Sequence, residues 1–436
     1  MTEPVVNHTN HFIAQEILEE QHIKTDMQSK FTYLYRNGYY DHVNSIPWLK
    51  QEIQKKLCAN TTNSRVKEIL EYIIRDTYQD FNSTNNYICL NNCLLNLDTM
   101  KTEKHSPNIL VTQKIPVNYD HTIKSSLFNM TVQDLVEPKD VSVLQEGIGN
   151  ILSNHYLTKK LLYLYGNNDS GKSTFLDIIG AFLSKRNFSA ISLQGLGTRF
   201  INSHIFNKLA NISADEPYKV TLKYYGLVKN FTGGDEVMLE FKGKDAFQCK
   251  SSAKLFFSGN GIPSVAHTET DDAFFRRWQF VKFPNHFEPD DNIFKLNTTD
   301  AMKSSILNWM IEGYQRLKQN GWKFTNDTSI EETRKMFESA IYERTLLDQW
   351  ITENCVSYDG YELKPILYRH YRQWCVNKKR NDFEGYEAFC KSMGKQMFIP
   401  VSDYLPTINN KQQSALKGIK LKTPLNQFFN KGIDNK

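Results

Sequence analysis

No apolar run in this sequence approaches the roughly 18 residues that a membrane-spanning helix needs, so no such helix and no membrane partner is expected. The opening stretch MTEPVVNHTNHFIAQEILEE is polar and has no basic flank leading into an apolar segment, so a secretory signal is not expected either. Cysteine is sparse, with seven in 436 residues, an odd number spread along the chain. That pattern argues against a disulfide framework and for reduced thiols in a cytoplasmic setting. The one close pair, Cys89 and Cys93, is a residue wider than the common redox spacing and has no second pair, so buried structural thiols are expected rather than a metal site. There is no internal repeat and no low-complexity tract. Charge of one sign is not in large excess: the net charge is +5, compatible with nucleic-acid binding but decided only by where the lysines sit.

What is present is a globular composition, 40% hydrophobic and 23% charged, on a chain long enough for several domains. The expected architecture is multidomain α/β. Residues 1–30 read as a loosely ordered lead-in and 31–155 as a helical N-terminal domain. Within the latter, Leu49, Ile53 and Leu57 share one helix face, and Val66, Ile69, Leu70 and Ile73 another. A short β-patch at 86–97 turns at Asn91 and Asn92. From 156 to 300 apolar strands (161–165, 209–214, 254–258) alternate with helices, which predicts a parallel sheet. A helix through Ile306, Trp309, Met310 and Tyr314 opens a lid and linker at 301–334. Residues 335–425 read as helical and then β-like, and 426–436 as a polar basic tail.

Gly166, Asn167, Asn168, Asp169, Ser170, Gly171, Lys172 and Ser173 spell a phosphate-binding loop, with an apolar strand before it and a helix from Thr174 after it. The glycines let backbone N–H groups wrap phosphates, Lys172 reaches the β/γ-phosphates of ATP, and the Ser173 hydroxyl suits Mg2+. Asp169 is unusual there, since its carboxylate opposes phosphate charge. At the end of the strand 209–214, Asp215 is placed to hold Mg2+ and Glu216 to orient or deprotonate water. Asn260, after the strand 254–258, is a candidate for positioning that water. Arg276 and Arg277 lie in the apolar segment 274–280, where one of them, with Arg277 preferred, reads as an arginine finger for a neighbouring subunit and a local salt bridge as the alternative. Residues 237–250 read as two strands joined by a type II′ turn at Gly243-Lys244, so that Lys242 and Lys244 project either toward a DNA backbone or simply into solvent.

The order of these pieces, with Lys229–Asp235 (KNFTGGD), Asn260–Pro263 and Phe274–Arg277, resembles the superfamily 3 helicases, and more closely the phage, plasmid and poxvirus primase-helicase family. Residues 91–97, 105–107 and 115–119 resemble the domain preceding that family's ATPase, and Gly418–Leu421 resembles the closing strand of its winged-helix-like domain. The resemblance spans about residues 31–425. It implies an AAA+-type P-loop core in a hexameric homo-oligomer, ATP between subunits, and single-stranded DNA drawn through the centre by hairpins bearing Lys242 and Lys244. Members usually move 3′ to 5′. Two departures stand out. The loop is poorer in glycine than is usual, which bears on the ATPase rate. About thirty residues precede the helical domain, too few for a primase domain, so a separate primase is the expected partner.

In the C-terminal zone, 367–375 and 386–397 read as helices, the second with Lys391 and Lys395 on one face. It reads either as a DNA recognition helix followed by a wing rich in Lys411, Lys417, Lys420 and Lys422, or as a docking module. The function expected is an ATP-dependent helicase acting on single-stranded and forked DNA in replication of a virus, phage or plasmid-like element. The alternative is an ATP-switched initiator or loader that does not unwind processively. A small-molecule kinase would leave the basic hairpin and the arginine pair unexplained.

Overall fold

In the computed structural model, which describes residues 9–81, 86–217, 221–222, 225–265, 271–288, 290–342, 346–393, 401–409 and 411–422, the first described residue is Thr9. Its hydroxyl accepts from the Phe12 N–H and caps the helix Asn10–Glu20. From Thr9 on, the stretch read as a lead-in is a packed helix followed by the strand Ile23–Asp26, because Ile13, Ala14 and Ile17 fall on one buried face. The chain divides into two units: 1–215, 226–258 and 277–327 form the first, and 216–225, 259–276 and 328–436 the second.

In the first unit, Ile23–Asp26 belongs to a four-stranded sheet with Thr32–Arg36, Tyr39–Asp41 and Tyr78–Gln79. The helices Ser45–Leu57 and Asn63–Asp76 bury the faces anticipated from their spacing, packing Leu49, Ile53, Leu57, Val66, Ile69, Leu70 and Ile73 with Ile13 and Leu34. The four-stranded sheet is mixed, Ile23–Asp26 pairing parallel with Tyr78–Gln79, whereas a separate sheet of Tyr87–Cys89, Leu94–Asn96 and Thr102–Glu103 pairs antiparallel and turns at Asn91-Asn92. The expectation of a helical N-terminal domain thus gives way to a mixed α/β one. Its strands are two to five residues long, too short to impose a period of two on the sequence.

The central sheet of the first unit has five strands in the order Trp278–Lys282, Leu161–Tyr165, Lys254–Gly259, Ala210–Ser213, Phe188–Ser189. Its registers are parallel where Trp278 faces Leu161, Ala210 faces Lys254, and Ala210 faces Phe188. Near-continuous burial of LLYLY and KLFFSG is what a sheet covered on both faces requires. The helix Asp300–Gln319, expected as a lid, is instead core to this unit. Ile306, Trp309, Met310 and Tyr314 are buried in one cluster with Val143, Leu144 and Ile148 of the helix Pro138–Gly149. Beside them the Glu146 carboxylate, fully buried, accepts from Arg316 Nε at 2.6 Å and from the Thr325 N–H at 2.8 Å.

The second unit is built on a three-stranded antiparallel sheet, Cys355–Leu363, Ala415–Leu421 and Ser402–Tyr404. The helices Leu346–Asn354, Lys364–Asn377 and Tyr386–Met393 pack on it through Trp350, Tyr371, Trp374, Phe389 and Ile419. All seven cysteines are free thiols, and burial pushes Cys89 up to about 12 and raises Cys93 as well, as suits structural rather than reactive groups. Among the described residues no helix is long and apolar enough to cross a membrane.

Candidate functional site

The segment Gly166–Ser173 connects the buried strand Leu161–Tyr165 to the helix Lys172–Leu183 at the carboxyl edge of the parallel sheet, where open α/β sheets bind ligands. A Cβ at Gly166 would meet the Phe283 carbonyl oxygen. Gly171 caps the helix at φ +85, and a Cβ there would come within 2.6 Å of Leu135 Cδ2. Glycine is therefore required at both positions of the motif, by close approach at the first and by handedness and packing at the second. The unsatisfied N–H groups of the following helix's first turn face the loop, a ready anion site.

Lys172 is 4% exposed. Its ammonium donates to the Gly166 carbonyl at 2.9 Å, the Asn167 carbonyl at 2.7 Å and Ser170 Oγ at 2.9 Å. Burial pulls its pKa below the ordinary lysine value, against the opposing pull of the Asp215 and Asp169 carboxylates. Asp169 takes the left-handed conformation at φ +57, is exposed, and anchors the loop through its carbonyl, which accepts from the Phe287 N–H at 2.8 Å. Ser173 is exposed at the helix start and Thr174 half-buried.

Asp215, also left-handed at φ +57, follows the strand Ala210–Ser213 and is exposed, while Glu216 is buried. One carboxylate joins this group that sequence reasoning missed. Burial and then the Asp215 charge push Asp177 above the usual aspartate value, so the two carboxylates face one neighbourhood. The signal was available, since Asp177 lies four residues after Ser173 on the same helix face. No cluster of three or more His, Cys, Asp or Glu suited to a metal occurs among the described residues. An exposed hydroxyl with one or two carboxylates is nonetheless the oxygen-only donor set that Mg2+ accepts beside phosphates.

Against the loop opens a cavity of about 890 Å3, into which Asp169, Gly171, Thr174 and Asp177 face from the loop side. Its apolar wall comes from Met130, Leu135, Phe287, Ile293, Phe294 and Leu296, of which Met130 and Leu296 are 66% and 63% exposed. Large apolar side chains standing in solvent around a concave surface are what a flat, partly apolar ligand would cover. Nothing in the sequence pointed to them, because they come from two segments far from the motif.

The remaining candidates are placed separately. Arg277 is half-buried, its Nη1 3.5 Å from the Lys159 carbonyl and its own carbonyl accepting from Leu161 N. Arg276 belongs to the second unit and is exposed at the end of the short helix Asp272–Phe275. Asn260, also of the second unit, directly follows the strand Lys254–Gly259 and is exposed. The basic hairpin is present, Glu236–Leu239 pairing antiparallel with Phe247–Lys250, but the expected two-residue type II′ turn is not. The reverse turn is Phe241–Lys244, closed by Lys244 N to the Phe241 carbonyl at 3.0 Å, with Gly243 third at φ +78 as a type II turn demands. Lys242 is exposed, and Lys244 Nζ stands 4.0 Å over the Phe31 ring. Lys391 is exposed near the end of Tyr386–Met393, and Lys395 lies outside the described residues.

Two family descriptions match parts of the chain. Residues 7–137 match the family described as D5 N terminal like. Residues 164–277 match a family of unknown function, DUF5906, and that span runs from just before Gly166 to Arg277, enclosing the nucleotide and hairpin candidates. The pairing of the two is seen in phage and viral primase-helicase proteins. No curated protein matches the chain. Among solved structures, the apo structure of NrS-1 C terminal region (305-718) is similar at 11% identity and a TM-score of 0.50, over 94% of this chain and 99% of that one. The A form apo structure of NrS-1 C terminal region-CTR is similar at 12% identity and a TM-score of 0.49, over 94% and 100%.

Proposed function

We propose that the chain is an ATP-hydrolysing replication motor that moves on single-stranded DNA and opens forked duplex. The observation that carries this reading is a buried lysine inside a helix-capping loop, set beside an open cavity of about 890 Å3 with one apolar wall and carboxylates from Asp134, Asp169, Asp177, Glu288 and Asp290. ATP would seat its base on Leu135, Phe287 and Phe294 and its phosphates on the loop's N–H groups. Lys172 would exchange carbonyl partners for phosphate oxygens. Ser173 and Asp215 would hold Mg2+, with Asp177 behind them, and the ion would supply charge neutralisation on the phosphates. Glu216 would accept the proton of the attacking water, and Asn260 would orient that water.

The finger role is better suited to Arg276 than to Arg277, because Arg276 is exposed whereas Arg277 already lies against the Lys159 carbonyl. That role presupposes a ring of subunits, in keeping with an AAA+-type core. A winged-helix-like character of the second unit is supported by its helices packed on a three-stranded sheet that ends in the strand Ala415–Leu421. Lys242 and Lys244 would contact the DNA backbone. Free thiols throughout fit a cytoplasmic setting.

The test is Lys242→Ala with Lys244→Ala. It is expected to keep basal hydrolysis and to lose both its stimulation by single-stranded DNA and the unwinding of a forked duplex. Unchanged unwinding would refute translocation by the hairpin. Origin binding with ATP but no unwinding by the natural protein would favour an ATP-switched initiator or loader.

A further inference from the structure

Between the hairpin and the N-terminal sheet of the first unit lies a small cavity of about 170 Å3, lined by His42, Arg186, His204, Phe206, Lys208 and Phe241 among others. Its charges are lopsided. Lys208 Nζ donates to the main-chain carbonyl of Arg186 at 2.6 Å, while the Arg186 guanidinium lies 5.5 Å from the Tyr39 ring centroid. Burial and then Arg186 pull the Lys208 pKa down. His42 is driven to about 4 by burial and then by Lys208 and Lys244, so the hairpin lysine belongs to the same positive field. The Asn207 amide lies 3.3 Å from His42 Nδ1, and a neutral ring accepting there carries its proton on Nε2, as one more donor. Asp41 is the carboxylate in this neighbourhood, and it is engaged by Arg186.

Like charges held together in a concave, partly apolar place cost free energy that a bound anion would return. The anion need not be alone. Phe31, Phe206, Phe241 and Phe247 form a connected set of ring contacts, Phe31 stacked on Phe206 at 5.1 Å and Phe206 edge-on to Phe247 at 5.2 Å, and Lys244 stands on Phe31. Cations interleaved with half-exposed aromatics are the make-up of a single-strand path, backbone on the former and bases on the latter.

We propose that Arg186 and Lys208, with His42 beside them in the cavity, form a phosphate seat for single-stranded nucleic acid, extending the path that starts at the hairpin tip onto the N-terminal sheet. This deepens the DNA-motor reading and rests on it for the identity of the strand. Its test, however, needs neither ATP nor unwinding.

The experiment measures binding of a labelled oligothymidylate of about 20 nucleotides, longer than the roughly 4–16 that single-strand sites cover, to the full chain without nucleotide, by fluorescence anisotropy at several salt concentrations. Arg186→Gln with Lys208→Gln is expected to weaken binding about tenfold at low salt and to flatten the salt dependence by about 0.7 for each phosphate left without its cation. Because Arg186 also holds Asp41, Lys208→Gln alone is the second variant, expected to give about half that flattening at an unchanged melting temperature. Equal affinity and slope in wild type and Lys208→Gln overturn the proposal, as does failure of the wild type to bind the oligonucleotide. Inorganic phosphate that binds wild type but not the variant, while oligothymidylate binding is equal in the two, identifies a small-anion site and overturns the strand assignment. Loss of ATPase in Lys172→Met with oligonucleotide binding intact bears on the motor reading and leaves this seat standing.

Discussion

Replacing Lys172 by Met keeps the length of the side chain and removes its charge, and the structure sets what should follow. In the unliganded loop the ammonium is already bonded to the Gly166 and Asn167 carbonyls and to Ser170 Oγ. On ATP binding it trades these partners for phosphate oxygens, so the net gain in ground-state affinity is about that of one charge-assisted hydrogen bond, roughly 1.5 kcal/mol, or about tenfold. In the transition state the same charge meets developing negative charge, where losing one preorganised donor costs about 3–4 kcal/mol, roughly 10² to 10³ in rate. The two assays differ accordingly. At ATP equal to about 100 times the wild-type Kd, ligand stabilisation is about 2.7 kcal/mol. A tenfold weaker Kd leaves about 1.4 kcal/mol at the same concentration, so the ATP-induced rise in melting temperature should fall to about half, while phosphate release should all but vanish. Hydrolysis by Lys172→Met within a few-fold of wild type would refute the assignment of the loop. A thermal shift abolished outright would refute the partner-exchange argument and put most of the binding on this lysine.

Two further outcomes are expected. Phe287→Ala removes part of the apolar wall beside the loop and should weaken binding of a fluorescent ATP analogue by about 1–2 kcal/mol, taking base-on-aromatic stacking as the guide, with little change in the rate at saturation; unchanged affinity would place the base elsewhere. His42 is held neutral down to about 4 when folded, against 6.5 when unfolded. The unfolded chain therefore binds the extra proton between those values, and stability falls as pH drops through that window. Urea titrations at pH 7 and 5 should differ by about 2 kcal/mol from this group, and His42→Asn should remove that part of the difference; an identical pH dependence in the variant would contradict it.

The parts of the site that were legible in the sequence are those made by one contiguous segment. The loop, its strand and its helix could be read because the glycines, the lysine and the apolar run each do their work next to one another in the chain. The cavity wall was invisible for the opposite reason: Met130 and Leu135 reach it from one side and Phe287 to Leu296 from the other, and neither segment carries a motif. The N-terminal region was misread because Tyr33, Leu34, Tyr39 and Tyr40 are buried with little alternation, whereas the neighbouring helices announce a clean three-and-four spacing. The first helix did carry its signal, Thr9 before Ile13, Ala14 and Ile17, but in surroundings polar enough to hide it. At the hairpin the strands were legible and the turn was not, since a single Gly243 serves a type II turn as its third residue as readily as a type II′ turn as its second.

The two faces of the proposed nucleotide site would divide the work in a way the sequence alone would not suggest. Lys172 commits most of its bonding capacity to the loop itself before any ligand arrives, so its contribution is larger for the transition state than for the bound ground state. The apolar wall behaves oppositely. Leu135, Phe287 and Phe294, the last 39% exposed, would be covered as soon as a base docks, which gains free energy at that point and nothing more as the phosphate bond breaks. Binding and chemistry are therefore separable by mutation. Losses at the wall should appear in affinity and losses at Lys172 in turnover, and Asp169, which lines the cavity while pulling on the Lys172 ammonium, is the residue at which both should change together.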